Sequence, residues 1–424
     1  MLIIYRVLTL ILSPFIFLYL ALRMLRGLED RKRFFERFGF SKRHRPEGKL
    51  IWFNAVSMGE LNSAWTIVDR INRIENYNIL ITTTSITGSM TALKKIESLA
   101  SPEKVIHQYT PIDFSSSVGR FLRHWKPNLL VSVESEFWPN IFTMTKKHCP
   151  VMVLNGKLSK RSFRLWYRFR KLKEKIFGSI DLCLAQSRND HRKFLNLGVQ
   201  NVQFLGNIKF FVGKTSVDTK LYEKLLEEVG IRPRWLANCT HEGEEKIIID
   251  THKKLRKSQP NLITFMVVRY VDKISGVIEL LDANDIKYVT PGQTGPIEKD
   301  VEFYLYDRYG DLGTFFNFCN IVFMGGSLVD GIGGHNPAEA IKHNCCVITG
   351  PYRENNLMLF EELKNADGCI ILKNSTVDEL FSTVNFLLTN SAEVRRISRN
   401  AYVRSLQYNG ILKEIVNIII GKLL

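Results

Sequence analysis

The sequence predicts an α/β protein of two doubly wound domains facing across a cleft, behind an N-terminal membrane-anchor helix. Three observations carry that expectation. Short apolar runs alternate with amphipathic ones through most of the 424 residues, the rhythm restarts once near Arg234, and an apolar N-terminal segment runs into a dense basic stretch. Alternating strand and helix patterns are the mark of a mostly parallel sheet with helices on its faces.

The apolar segment comes first. Val7 to Leu22 is almost wholly apolar, broken by Ser13 and Pro14, and Arg23, Arg26, Arg31, Lys32, Arg33 and Arg37 follow. Counted from Met1, it is just long enough to span a bilayer. No small-residue cleavage site stands behind it, so an uncleaved anchor is expected, with the basic flank and all later residues on the cytoplasmic side. Pro14 leaves room for a helix that dips into one leaflet only.

In the first domain the expected strands are Leu50–Val56, Ile79–Thr84, Leu129–Val133, Val151–Leu154, Leu182–Ala185 and Val202–Leu205, with helical patterns such as Leu61–Ile74 and Ser159–Phe177 between them. In the second they are Trp235–Cys239, Leu262–Val268, Lys287–Val289, Ile321–Met324, Cys346–Ile348 and Cys369–Leu372. The expected organisation is an anchor over 1–26, a first domain over 27–212, a second over 213–391, and C-terminal helices over 392–424 packing across both.

Lys and Arg exceed Asp and Glu by 59 − 42 = 17, so the preferred partner is polyanionic. An acidic membrane surface fits best, where each nearby Lys or Arg adds about 1 kcal/mol of attraction. A nucleic-acid partner is not expected. The chain has no recognisable RNA- or DNA-binding motif, and its basic residues crowd beside the anchor and in Lys157–Lys175. The seven cysteines show no CxxC pair and read as reduced, buried thiols, not as a zinc site or a disulfide framework.

The polar residues that could do chemistry fall at the ends of the expected strands, where such sheets bind ligands. The run MGGSLVDGIGGHNPAE, Met324 to Glu339, reads as strand, glycine loop and helix start, with Asn336 as cap, Pro337 at the first helical position and Glu339 at the third. Backbone N–H groups in such a loop favour a phosphate, although Asn336 and Glu339 are equally what a plain helix cap requires. Ser57-Met58-Gly59-Glu60 carries the capping-box pattern. Glu60 is also a candidate general base, expected to stay ionised near a helix N-terminus.

Glu134 and Glu136 stand together after an apolar strand, and Lys209 and Arg269 are candidate phosphate or carboxylate partners. Thr240-His241-Glu242-Gly243-Glu244-Glu245 reads as a capped helix start, since Glu245 stands where a zinc motif would need its second His. No metal is expected.

The motifs IWFNAVSMGE, ITTTSITG, ESEFWPN, NGKLSKRS, LGNIKF, THEGEE and MGGSLVDGIGGHNPAE occur in the order seen in bacterial Kdo transferases. The chain resembles these membrane-anchored enzymes of the lipopolysaccharide inner core from its anchor to about Pro351. Kdo is 3-deoxy-D-manno-octulosonic acid, an acidic eight-carbon sugar. The resemblance implies a GT-B fold of two Rossmann-like domains. It also implies inverting, metal-independent transfer of Kdo from CMP-Kdo, a co-substrate and not a cofactor, to the anionic lipid A precursor lipid IVA. Carried over by motif, Glu60 is the base, and Glu134 and Lys209 stabilise the transition state. Val268, Arg269, Gly310, Asp311, Leu312, Asn336, Pro337, Ala338 and Glu339 form the CMP site. An alternative is another GT-B nucleotide-sugar transferase or epimerase at the inner membrane. The chain departs from the family in having Val268-Arg269-Tyr270 for Pro-Arg-His, Asp311 for Glu, and Gly156-Lys157 for Ala-Arg.

Overall fold

The computed structural model describes residues 1–211, 214–291, 296–308 and 310–423, with the side chains of Lys209 and Asn409 outside the description. The chain divides into two compact units, Met1–Phe211 with Gly410–Leu424, and Val212–Asn409.

The first unit holds a seven-stranded parallel sheet: β1 (Lys49–Asn54), β2 (Tyr77–Thr83), β3 (Val105–Tyr109), β4 (Leu129–Val133), β5 (Val151–Gly156), β6 (Leu182–Ala185) and β7 (Val202–Gln203). Their spatial order is β3-β2-β1-β4-β5-β6-β7. The order reverses between β1 and β4, which pair in parallel with Phe53 opposite Val131. At such a switch point the loops leave in opposite directions and open a crevice beyond the strands' carboxyl ends.

The second unit repeats the plan with β8 (Arg234–Thr240), β9 (Ile263–Val268), β10 (Tyr288–Val289), β11 (Phe303–Tyr306), β12 (Ile321–Met324), β13 (Cys346–Thr349) and β14 (Ile370–Ile371). Here the order is β10-β11-β9-β8-β12-β13-β14, with the switch between β8 and β12. The central strands of both sheets are mostly apolar and buried, as in sheets covered on two faces, while the edge strands β7, β10 and β14 are only partly buried. Each also places a tryptophan on its first strand and lets the indole N–H donate to a threonine on the neighbouring one: Trp52 to Thr82 and Trp235 to Thr264, both 2.8 Å. Burying an indole requires such a partner for its donor.

Two strands were absent from the sequence reading. β3 reads VIHQY, whose polar core residues hide its strand character. They are buried because each is satisfied. His107 Nε2 lies 3.0 Å from Thr83 Oγ1, and Gln108 Oε1 accepts from the Trp125 indole at 2.6 Å. β11 reads FYLY between polar segments. The pattern Ser159–Phe177 is not one helix: Lys160–Arg168 and Arg170–Phe177 are separated at Phe169, whose backbone leaves the helical region (φ −97°, ψ 62°). Like charges stack four residues apart on both sides, at Arg164 and Arg168 and at Lys171 and Lys175, which weakens a continuous helix. The C-terminal segment is a single 31-residue helix, Ser391–Gly421.

The apolar N-terminal segment is a helix over Leu2–Leu25 that continues through Pro14. Its mean hydropathy is 2.0 over 18 residues, which suits a membrane by length and composition. It is tied to its own unit at both ends. Tyr5 donates to Asp113 at 2.9 Å, Arg6 donates to Asn140 at 2.9 Å, and Arg23 pairs with Glu29 at 2.9 Å. Between these ties Phe17 packs on Phe34 and Phe38. Ile4, Leu8, Ile11, Phe15 and Leu18 stay exposed, a spacing that gathers them along one side.

Candidate active site

In the first unit the functional side chains gather at the β1/β4 switch point. β1 runs into the turn that starts the helix Met58–Asn72, and the capping box is present. Ser57 Oγ accepts from the Glu60 N–H at 3.2 Å, and Glu60 Oε2 accepts from the N–H groups of Val56 (2.7 Å) and Ser57 (3.5 Å). Glu60 is 7% exposed. Burial, followed by the charges of Glu136 and Glu134, pushes its carboxyl up to about 8, against the pull of the two backbone donors. The expectation that the helix N-terminus keeps Glu60 ionised at neutral pH is therefore overturned.

Glu134 closes β4 in the left-handed region (φ 59°), and Asn155, in neighbouring β5, does the same (φ 58°). Non-glycine residues adopt this conformation at a cost of about 1 kcal/mol or more, commonly at functional sites. Here the two turns bring the side chains together: Glu134 Oε1 accepts from Ser63 Oγ and Asn155 Nδ2, each at 3.4 Å. Asn155 Oδ1 accepts from the Ile208 N–H at 3.3 Å, which fastens the short turn Ile208–Phe210 to the same strand end. Lys209 lies in that turn, with its side chain outside the described residues. Burial also raises the Glu136 carboxyl, so three glutamates of one unit share one strand-end region.

In the second unit the corresponding switch point lies between β8 and β12. His241 follows β8 and His335 ends the glycine loop that follows β12. Glycines are required at two places: a Cβ on Gly325 would lie 2.4 Å from the Cys239 carbonyl oxygen, and Gly326 (φ +69°) passes under the His335 ring. The loop differs from the sequence reading in how its donors are used. The fully buried Glu244 carboxylate accepts from the N–H groups of Gly326 (2.6 Å), Ser327 (2.8 Å) and Leu328 (2.8 Å), and from His241 N–H at 3.0 Å. The N–H groups of Gly334 and His335 go to the carbonyls of Gly326 and Gly325. An internal carboxylate thus fills the anion cradle that the glycines appeared to offer a phosphate.

The helix after the loop also starts later than expected. It spans Ala338–Lys342, with Pro337 at the cap position and Glu339 second in the helix. Asn336 Oδ1 accepts the Ala338 N–H at 3.0 Å, so it caps from one residue further back. With five residues, this helix adds little dipole of its own.

Of the remaining expected contacts, Val268 ends β9, and Arg269 N–H donates to the Thr240 carbonyl at 3.0 Å. Gly310 (φ +116°) and Asp311 (φ 55°) turn the chain into the helix Leu312–Phe318, and Tyr306 donates to the Asp311 carboxylate. A cavity of about 480 Å³ opens beside His241, lined among others by Thr240, Val268, Tyr270, Lys273 and Gly276. No cluster of three or more metal-ligating side chains occurs among the described residues. Sequence reasoning gave no site role to Glu244 or His335. Their only signals were the second acid of THEGEE and a histidine inside the glycine run.

Residues 32–212 match the family model described as 3-deoxy-D-manno-octulosonic-acid transferase (kdotransferase). The 3-deoxy-D-manno-octulosonic acid transferase of Rickettsia bellii is 31% identical over 98% of both chains. The chain belongs to the Kdo transferase family. A second member, from Haemophilus influenzae, is 28% identical over 98% of this chain and 97% of its own. A glycosyltransferase structure from Rickettsia africae superposes with a TM-score of 0.61 at 11% identity, covering 89% of this chain and 99% of that one. That likeness concerns the fold, the paired parallel-sheet GT-B architecture. The protein is therefore a glycosyltransferase that acts with Kdo in lipopolysaccharide synthesis.

Proposed function

We propose that this Kdo transferase moves Kdo from CMP-Kdo onto the phosphorylated lipid A precursor, lipid IVA, with inversion and without a metal. Glu60 takes the proton of the acceptor hydroxyl, the oxygen attacks the anomeric carbon from the face opposite CMP, and the carbon–oxygen bond to the phosphate breaks. A carboxyl poised near 8 is a stronger proton acceptor than an ordinary glutamate, which suits a hydroxyl donor. Glu134 is held toward the same region by Ser63 and Asn155. With Lys209 it is assigned to stabilising the charge that develops on the sugar.

In the second unit Arg269, Asn336 and Glu339, with the segments Val268–Arg269 and Gly310–Leu312, are assigned to CMP. The departing group is a monophosphate, which carries less charge than a diphosphate and asks less of a cation. The exposed apolar helix over Leu2–Leu25 and the basic residues after it are assigned to the inner membrane, where the lipid acceptor and acidic phospholipid lie.

The single observation that carries this reading is the buried Glu60 beside the half-buried Glu134 and Glu136 at the β1/β4 switch point in a chain of this family. The test is to incubate detergent-extracted protein with CMP-Kdo and lipid IVA and to weigh the lipid product. A gain of one or more Kdo masses with release of CMP is expected. An unchanged lipid, or turnover only with a UDP-sugar, refutes the assignment.

A further inference from the structure

The rings of His241 and His335 lie edge to edge in nearly one plane, with planes at 15° and centroids 5.0 Å apart, and their Nε2 atoms point at each other 2.8 Å apart. At that distance the two nitrogens share one proton, since two Nε2–H groups pointed at each other would repel. One ring is then the donor and the other the acceptor. A further proton fits this pair only at Nδ1 of the donor ring. It turns a neutral N–H···N bond into a charge-assisted one, which is shorter and about twice as strong, without moving either ring. The arrangement is held from several sides. Glu244 fixes the His241 backbone, glycine at 326 leaves room for the His335 ring, and the Tyr270 ring meets His241 edge-on at 5.6 Å.

The charges facing the pair oppose that extra proton. Burial first, then the Arg269 guanidinium on both rings and the Lys273 ammonium on His241, hold both imidazoles below their ordinary value, His335 down to about 4. The acids nearby are otherwise engaged: Glu244 by four backbone donors and Glu242 by Lys273 at 3.3 Å. Tyr270 and Glu245 complete the surroundings on the cavity side. An anion placed beside Arg269 would offset that guanidinium's share of the field opposing the extra proton and would itself attract it.

We propose that His241 and His335 form a proton-binding pair in the nucleotide pocket, neutral when it is empty and taking up one further proton, at Nδ1 of the donor ring, when a phosphate monoester binds beside Arg269. This rests on the assignment of the second unit to CMP. It adds two ligand-responsive residues to that pocket and a means of meeting the charge that appears when the donor's phosphodiester becomes the product's dianionic monoester.

The test is calorimetric titration of the full-length protein with CMP near pH 7 in buffers of different ionisation enthalpy, with cytidine as the phosphate-free control. Uptake of roughly half a proton or more per CMP is expected, with none for cytidine. The uptake should fall at least twofold in both His241→Gln and His335→Gln. CMP binding with no proton uptake in the unaltered protein, or with uptake unchanged in either variant, overturns the pair while leaving the CMP assignment intact. Failure of the unaltered protein to bind CMP overturns both. If one variant does not fold, the other decides.

Discussion

Glu60 is asked to do two things that conflict. As a buried acid beside two others it prefers to be neutral, yet a base must be charged. Its folded value lies near 8 against an ordinary 4.5, so the unfolded chain releases this proton first. Stability is then lost as pH rises from about 4.5 to about 8 and levels off beyond, on the order of 2–3 kcal/mol at pH 7 from this group alone. Glu60→Gln keeps an oxygen for the Val56 and Ser57 N–H groups, removes the charge and cannot take a proton. It should raise the melting temperature at pH 8 relative to pH 5 while lowering turnover at least a hundredfold. Turnover of the unaltered enzyme should climb through about pH 8. A variant as active as its parent, or a flat pH profile, would remove Glu60 from the base's role. The capping pattern and the acid at its third position were plain in the sequence. The direction of the titration was not, because it depends first on burial and then on Glu136 and Glu134, which reach Glu60 only through the β1–β4 pairing.

At the scale of elements, the segment after the N-terminal helix holds that helix to the sheet. Glu29 and Arg37 are buried and paired at 3.1 Å, Arg23 joins them from the N-terminal helix, and Arg37 also donates to the Thr84 carbonyl beyond β2. Next to them Arg33 donates to the His107 carbonyl at 2.9 Å and pairs with Glu36. Removing one partner of a buried pair leaves the other uncompensated. Arg37→Ala should therefore cost about 3 kcal/mol, read as a lower denaturation midpoint, whereas Lys42→Ala on the exposed side of the same basic run should cost nearly nothing. Equal effects would mean that the whole run is merely solvated. The sequence showed this run as one block of positive charge. It does not tell which arginines turn inward, because their partners are carbonyls at strand ends and a histidine inside β3. That strand's own polar letters, His107 and Gln108, concealed it in turn, and both are satisfied only by contacts remote in the chain.

For the whole molecule, the excess of 17 positive charges and one exposed apolar helix act over different distances. Charge attraction fades as the Debye length drops from about 10 Å at 0.1 M salt to about 3 Å at 1 M, while apolar insertion does not weaken with salt. Full-length protein should therefore favour acidic over neutral phospholipid vesicles at about 0.1 M salt, lose most of that preference near 1 M, and remain vesicle-bound throughout. Release from both vesicle types at high salt would show that the helix over Leu2–Leu25 does not insert. The two-sheet plan was legible because periodicity survives burial on both faces. The two switch points were not, since strand order is a property of pairing and not of any one strand.

The Glu244 carboxylate has one more consequence. Because the glycine loop after β12 already grips an anion of its own, it has no need of a guest to take shape. Under the proposed assignment CMP meets a wall that is set in advance and the loop loses little freedom on its arrival, so binding energy is not diverted into ordering this stretch of backbone. Amide hydrogens at Gly326, Ser327 and Leu328 should exchange slowly in nucleotide-free protein and hardly change when CMP is added. Fast exchange that slows only with the nucleotide would mean that the loop is moulded by its ligand.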